Sequence, residues 1–202
     1  MIAIIDYGVG NLRSVEKAFA FLGHKVVITD NPDIVSAAEG LVLPGVGSFG
    51  DAMSELETRG LKDPLIDYVE HGGPFLGICL GCQLLFQRSQ ESPGVDGLGV
   101  LPGEVVRFPA DLKVPHMGWN NAEFNIHHSI LEGVEDSSFF YFVHSYYVMP
   151  AVGEHVLMVT DYGVDFASAV ARDNLVAFQF HPEKSSDIGL KLLGNFAEHC
   201  RR

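Results

Sequence analysis

The sequence predicts an α/β fold: a central, mostly parallel sheet flanked by helices, with an antiparallel extension in the second half. Three observations carry this. In the first half, short apolar or β-branched runs alternate with segments of helical period, and strands joined by helices build βαβ units. Those runs, such as "IAIID", "GLVLPG" and "PFLGI", are continuously apolar, as strands covered on both faces must be. In the second half, strand-like runs follow one another with turn residues between them and few helical stretches, which is the antiparallel pattern.

Taken in order, "IAIID" is a short strand. Val15, Ala18, Phe19 and Leu22 then recur at helical spacing and Gly23 closes the helix. "KVVIT" is β-branched and strand-like, and Pro32 opens a short helix over "PDIVSAA". "GLVLPG" is a third strand, followed by helical pattern in "DAMSELET" and around Leu65, Ile66 and Val69. "PFLGI" is a fourth strand, and "LGCQLLFQ" turns helical. "GVLPGEVVRF", "FFYFVHSYYVM", "HVLMVTDY", "FASAVA" and "LVAFQF" are the later strands, returning to the main sheet. A last helix begins near Asp187 and carries Ile188, Leu192, Phe196 and His199 along one face. With no linker and no repeat, residues 1–202 are expected to form a single domain.

Composition narrows the function. A chain of 202 residues buries roughly 70% or more of its unfolded surface and needs no disulfide staples. Its 13 basic and 26 acidic residues give a net charge of −13, with no basic stripe outside the terminal Arg201 and Arg202. That sign repels phosphate backbones, so no nucleic-acid partner is expected. Three cysteines, an odd number, do not form a secreted disulfide framework. The opening apolar run has no basic start and ends at Asp6, and no run approaches the length of a membrane span. A soluble cytoplasmic protein, without membrane contact, is expected.

The segment "GPFLGICLGCQLLF" places a thiol between two glycines, Gly77-Ile78-Cys79-Leu80-Gly81. A strand that ends on a nucleophile and turns at once into a helix makes a strained elbow. Small residues on both sides let the neighbouring backbone approach, as in G-x-S-x-G. The helix starting beside the sulfur offers unpaired N–H groups that favour a thiolate. On these residues alone Cys79 is equally a small core hydrophobe. Cys79-Leu80-Gly81-Cys82 is also a C-x-x-C, which near βαβ units suggests thiol–disulfide exchange. That reading leaves unexplained why the glycines flank only Cys79. Cys82 falls one turn into the helix and is expected to be structural. Zinc is disfavoured because no second ligand pair exists and Cys200 is isolated.

A reactive thiol needs a base. Of nine histidines, His24, His71, His127, His128, His155 and His199 sit in loops, at turns or at helix ends. His116, His144 and His181 follow or interrupt strand-like runs. Only "VAFQFHPEKSS" pairs a histidine with a carboxylate in useful geometry: Pro182 keeps His181 extended, and a period of two sets Glu183 on the same side.

"GICLGCQLLF" and "FQFHPEKSS" resemble the signatures of the triad (class I) glutamine amidotransferases. "IDYGVGNLRSV", "LPGVGSFGDAM", "PHMGWN" and "FVHSYYV" are similar to members that act as a glutaminase subunit in histidine biosynthesis. The similarity runs from Ile2 to the C-terminal helix; Cys82 departs from the usual methionine. It implies a flavodoxin-like sheet and no cofactor or metal. Cys79 would attack the side-chain amide of glutamine, His181 would protonate the leaving ammonia, and Glu183 would orient His181. An oxyanion hole is implied at Leu80 and at the loop holding Val46 and Gly47, with a peptide flip near Val46. Gln83, Glu91, Ser145 and Tyr146 would cradle the α-carboxylate and α-amino groups. The resemblance also implies a heterodimer with a cyclase subunit, a (β/α)8 barrel, contacted at or near Asn11, Arg13, Met117, Trp119, Asn120 and Lys184.

A rival lies in Gly45-Val46-Gly47-Ser48-Phe49-Gly50, which fits G-x-G-x-x-G with Glu70 twenty residues beyond the first stretch. It follows the third strand rather than the first, and Glu70 falls within a helical pattern, so dinucleotide binding is disfavoured.

Overall fold

The computed structural model describes residues 1–201; Arg202 lies outside the described residues. β1 (Ile2–Ile5) is buried throughout. α1 (Leu12–Phe21) buries Val15, Ala18 and Phe19, and β2 (Val26–Thr29) pairs parallel with β1. α2 (Pro32–Ser36) starts on Asn31, whose side chain accepts from the Asp33 N–H. β3 (Gly40–Gly45) returns to the other side of β1. Ser48 caps α3 (Phe49–Thr58), α4 (Lys62–Glu70) follows, and β4 (Phe75–Cys79) lies parallel to β3.

Beyond Cys79 the expectation of a helix over "LGCQLLFQ" is only partly met. α5 (Leu80–Gln83) is a single turn, and β5 (Phe86–Ser89) has already begun by Phe86. Leu84 and Leu85 are wholly buried between them, and a short apolar run carries no period that separates a helix from a strand. β6 (Leu101–Arg107), β7 (His116–Phe124), β8 (Ser138–His144) and β9 (Tyr146–Pro150) come next. β10 (Val156–Asp161), β11 (Asp165–Arg172), β12 (Leu175–Phe178) and α6 (Ser186–His199) complete the chain. "FFYFVHSYYVM" is therefore two strands broken at Ser145. β8 pairs with β7, whereas β9 pairs with β6 and β11.

The main sheet runs β2-β1-β3-β4-β12 in parallel and continues antiparallel through β11, β10, β7 and β8; β9, β6 and β5 branch from β11. Alternate residues of β1 show why the parallel strands are apolar on both faces. Ala3 and Ile5 join the core beneath α2, α3 and α4, while Ile2 and Ile4 join the core beneath α1 and α6. In α6 the buried face is Leu192, Leu193, Phe196 and Ala197; His199 lies at its margin and bonds to Asn174.

Register positions the site. Gly45 of β3 lies opposite Cys79 of β4, and Ile78 lies opposite Phe178 of β12. Three neighbouring strands thus end side by side, and the segments leaving them converge at the carboxyl edge of the sheet, where open α/β sheets bind ligands.

Candidate active site

Cys79 is the last residue of β4 and sits at φ 55°, ψ −109°, a region that side chains rarely occupy and that is held only by its surroundings. The flanking glycines show what holds it. A Cβ on Gly81 would overlap the Leu43 carbonyl oxygen and lie 2.8 Å from its carbon. One on Gly77 would meet Ala177 Cβ at 2.9 Å, and one on Gly45 would meet Leu80 Cβ at 2.8 Å. The elbow is possible because β3 and β12 press against it at positions with no side chain. Tyr7 donates from its buried hydroxyl to the Pro44 carbonyl at 2.9 Å and closes the wall beside it. Burial, with Cys79 nearby, pushes the Tyr7 phenol above its ordinary range, so it stays a neutral donor.

His181 follows β12. Its N–H donates to the Tyr141 carbonyl at 3.0 Å and its carbonyl accepts from Ser185 Oγ at 2.6 Å. Nδ1 donates to Glu183 Oε1 at 2.8 Å, and both side chains are nearly inaccessible. The pair forms by a different route from the expected one. His181 is extended at φ −99°, but Pro182–Lys184 form a 3-10 turn that folds Glu183 back. Asn11, expected at a subunit interface, also donates to Glu183 Oε1, at 3.3 Å. Burial alone would lower the His181 pKa; interactions with Cys79 and Glu183 outweigh it and raise the value to about 10. An imidazolium therefore stands beside the Cys79 sulfur at neutral pH. Among the described residues, Nε2 of His181 and Oε2 of Glu183 are buried without hydrogen-bond partners.

A cavity of about 330 Å³ is lined by Val46, Gly47, Cys79, Leu80, Gln83, Glu91, Pro115, Val143, His144, Ser145, Tyr146, His181 and Lys184. Val46 is 41% exposed and Gly47 adopts φ +94°. Gln83 is buried and donates both amide hydrogens within the protein, to the Tyr146 carbonyl at 2.9 Å and to Gln179 Oε1 at 3.0 Å. Only its carbonyl oxygen is left for a ligand. Glu91 is half-buried, its Oε2 accepting from the Phe49 N–H at 2.8 Å. Gln179 is fully buried and directs Nε2 at Cys79 Sγ from 3.9 Å. Sequence reasoning missed Gln179; its place two residues before His181, at the end of a strand paired with β4, is the signal that could have found it.

Other expected contact residues separate. Met117 and Trp119 are exposed, at 66% and 52%, so the sole tryptophan is not core. Lys184 sits above the Tyr141 ring at 5.7 Å. Arg13 is exposed and paired with Glu16, while Asn120 is turned partly inward onto His116.

The rival readings lose their geometry. Cys79 belongs to the core beneath α1 and α6 and Cys82 to the core on the opposite face of the sheet. Burial, with Cys79 adding to it, pushes the Cys82 thiol above its ordinary range, and both cysteines are free. In the glycine loop, the Phe49 and Gly50 N–H groups at the start of α3, where a pyrophosphate would sit, are taken by Glu91 and Ser92. Glu70 lies in α4 and pairs with Arg172.

A family profile described as "Glutamine amidotransferase class-I" matches residues 3–200. The chain belongs to the class-I glutamine amidotransferases. This amidotransferase is similar to proteins named "Imidazole glycerol phosphate synthase subunit HisH". That of Desulfitobacterium hafniense is 54% identical over 198 residues, covering 98% of this chain and 94% of the relative. That of Methanothermobacter thermautotrophicus is 54% identical over 201 residues and covers both chains fully; that of Aquifex aeolicus is 53% identical over 200 residues, covering 98% and 97%. The fold matches a solved structure described as a glutamine amidotransferase, with TM-score 0.80 at 22% identity over the whole of both chains. It also matches PurLQS from Thermotoga maritima, with TM-score 0.77 at 16% identity over 98% and 97%. Among the described residues of this amidotransferase, no helix is long and apolar enough to cross a membrane.

Of the two remaining strand histidines, His144 lines the same cavity as Cys79 and His116 lies next to it. His116 Nδ1 and His144 Nε2 lie 3.0 Å apart in a shell of Phe108, Phe142, Tyr162 and Phe166. Burial lowers their pKa values to about 4 and about 3. A depressed histidine leaves stability intact above its unfolded pKa, and stability falls as the pH drops below it, because only the unfolded chain takes up the proton. His181 acts in the opposite sense, its stabilisation being present below the unfolded value and lost as pH rises through about 10. Stability is thus expected to peak near neutrality. Urea midpoints should fall from about pH 6.5 downward, His144 alone removing roughly 3 kcal/mol by about pH 4. His144→Asn should flatten that acid limb, and Glu183→Gln should flatten the alkaline one.

Proposed function

We propose that the chain is the glutaminase subunit of an imidazole glycerol phosphate synthase. It would serve histidine biosynthesis in the cytoplasm, with residues 1–202 acting as one glutamine amidotransferase domain. The observation that carries the reading is the meeting of a thiol on a strained elbow with a carboxylate-held imidazolium, within one cavity. Relatives named as HisH subunits of that synthase, 54% identical along this chain, supply the acceptor reaction.

In this reading the Cys79 proton has passed to His181, and Sγ attacks the side-chain carboxamide carbon of glutamine as the thiolate of that ion pair. Charge moves onto the carboxamide oxygen, which the Leu80 N–H and an N–H from Val46 or Gly47 receive. His181 gives its proton to the nitrogen, the C–N bond breaks, and ammonia leaves a glutamyl thioester on Cys79. Water then loses a proton to the neutral His181 and adds to the thioester. The C–S bond breaks, glutamate departs, and thiolate and imidazolium are restored. Glu183 holds the His181 tautomer throughout, with Asn11 bound to the same oxygen. The Gln83 carbonyl and the Glu91 carboxylate suit an α-ammonium group, and the backbone of Ser145 and Tyr146 completes the cradle.

Ammonia in neutral water is mostly protonated and no longer a nucleophile, so it must pass directly to its acceptor. A cyclase subunit, a (β/α)8 barrel, would dock over Met117 and Trp119 and reach Asn11, Arg13, Asn120 and Lys184. Glutamine hydrolysis by the chain alone and with cyclase and its ligand tests this. The chain alone is expected to be slow and the complex faster by about 10²-fold or more, the size of one oxyanion donor. Trp119→Ala should weaken the complex by about tenfold or more. Full turnover without partner would contradict an oxyanion loop at Val46 and Gly47 that completes its flip only in the complex.

A further inference from the structure

A neutral imidazole carries one N–H, and that fixes the direction of a hydrogen-bond chain that starts at His144 on the cavity wall and runs inward. The Tyr146 carbonyl can only accept, so His144 Nδ1, at 2.9 Å, carries the hydrogen. His144 Nε2 is then a lone pair and accepts from His116 Nδ1 at 3.0 Å. His116 Nε2 in turn accepts from Asn120 Nδ2 at 3.3 Å, and Asn120 is anchored on the Asp161 carbonyl at 2.8 Å. From the other side Gln83 donates to the same Tyr146 carbonyl and to Gln179, which donates toward Cys79 Sγ. The low pKa values of both histidines keep them neutral, and His116 is held between the rings of Phe142 and Tyr162, with centroids at 4.8 and 4.0 Å.

We propose that His116 and His144 are positioning residues for the glutamine site. They lock the Tyr146 carbonyl and with it the Gln83 amide, leaving the Gln83 oxygen turned to substrate and the Gln179 N–H aimed at the Cys79 sulfur. The inference rests on the amidotransferase reading and extends it inward from the cavity wall. Without the His144 N–H, the Tyr146 carbonyl keeps one donor, and the Gln83 amide is free to rotate and spend its oxygen elsewhere. The loss falls on glutamine binding. Gln179 acts closer to the chemistry: its N–H steadies sulfur bearing negative charge, so its loss falls on thiol reactivity.

The test uses the full chain with its cyclase partner for kinetics, and the full chain alone for alkylation of Cys79 by iodoacetamide, read on the Cys79 peptide by mass spectrometry. His144→Phe should raise KM for glutamine about tenfold with kcat nearly kept, the size of one buried hydrogen bond. His144→Asn, whose amide N–H takes the place of Nδ1–H, should recover most of the loss. His144→Gln, which places its amide at the Nε2 position, should not. That Asn-against-Gln comparison stands even where His144→Phe fails to fold. Gln179→Leu should slow alkylation of Cys79 severalfold. Wild-type KM in His144→Phe, or equal behaviour of the Asn and Gln variants, would overturn the proposal. If the wild-type complex makes no glutamate, the amidotransferase reading itself fails; the alkylation rates then decide alone, and equal rates in wild type and Gln179→Leu overturn the proposal.

Discussion

Cys79→Ala is expected to abolish glutamine hydrolysis, with a fall of about 10⁴-fold or more, as for removal of other nucleophiles, while Cys82→Ala keeps activity close to wild type. The two thiols lie three residues apart, yet their surroundings differ in kind. Cys79 opens into the cavity beside His181, whose imidazolium supplies the counter-charge a thiolate needs. Cys82 is fully buried within α5, on the other face of the sheet, and burial holds its thiol protonated. Alanine there removes one sulfur from the core, at about 1 kcal/mol of stability. Steady-state glutamate release by the complex separates the outcomes. Equal loss from both substitutions would instead favour dithiol chemistry.

Gly81→Ala is expected to prevent folding, whereas alanine at Gly47 should leave a folded protein with impaired glutaminase. At Gly81 the new methyl would overlap the Leu43 carbonyl, which is backbone and cannot turn away. No rotamer change relieves that, and β3 would have to part from the elbow, beyond the roughly 4 kcal/mol that marks exceptional point mutants. At Gly77 the contacts, Ala177 Cβ at 2.9 Å and the Gly81 carbonyl oxygen at 3.0 Å, are too close but need a smaller shift than at Gly81, and an intermediate loss is expected. Around Gly47 a methyl meets nothing within 4 Å, but φ is +94°. The cost there is about 1–2 kcal/mol of backbone strain, felt in the loop beside the oxyanion position. Thermal melts of the three variants, with glutaminase assays on those that fold, should give that order. A stable Gly81→Ala protein would show that the elbow is not packed as described.

Much of this was legible in the sequence because local pattern and chemistry agree there. The alternation of apolar strands and amphipathic helices from Ile2 to Cys79 needs no tertiary information, and glycines flanking one cysteine have few other uses. Features that depend on distant segments were not legible. The turn to a strand at Phe86 follows from pairing with β6. The break at Ser145 follows from two halves of one aromatic run joining different partners. β7 was missed as a strand because "HMGWNNAEF" mixes exposed apolar with partly buried polar residues, the reverse of the usual signal. Glu91 meets the α3 N-terminus across 42 residues, which no spacing announces, and Gln179 meets Cys79 across 100, announced only by its place two residues before His181. The Trp119 side chain lies in the open, where its residue type alone left core and surface equally served.

The central claim is that the sulfur at the β4 elbow carries the glutamyl group. The complex with cyclase, mixed with glutamine, quenched in acid during turnover and mapped by mass spectrometry, tests it most directly. A glutamyl adduct confined to the Cys79 peptide and absent from Cys79→Ala is the expected result. Ammonia release with no adduct on Cys79, or with the adduct on another residue, would contradict it.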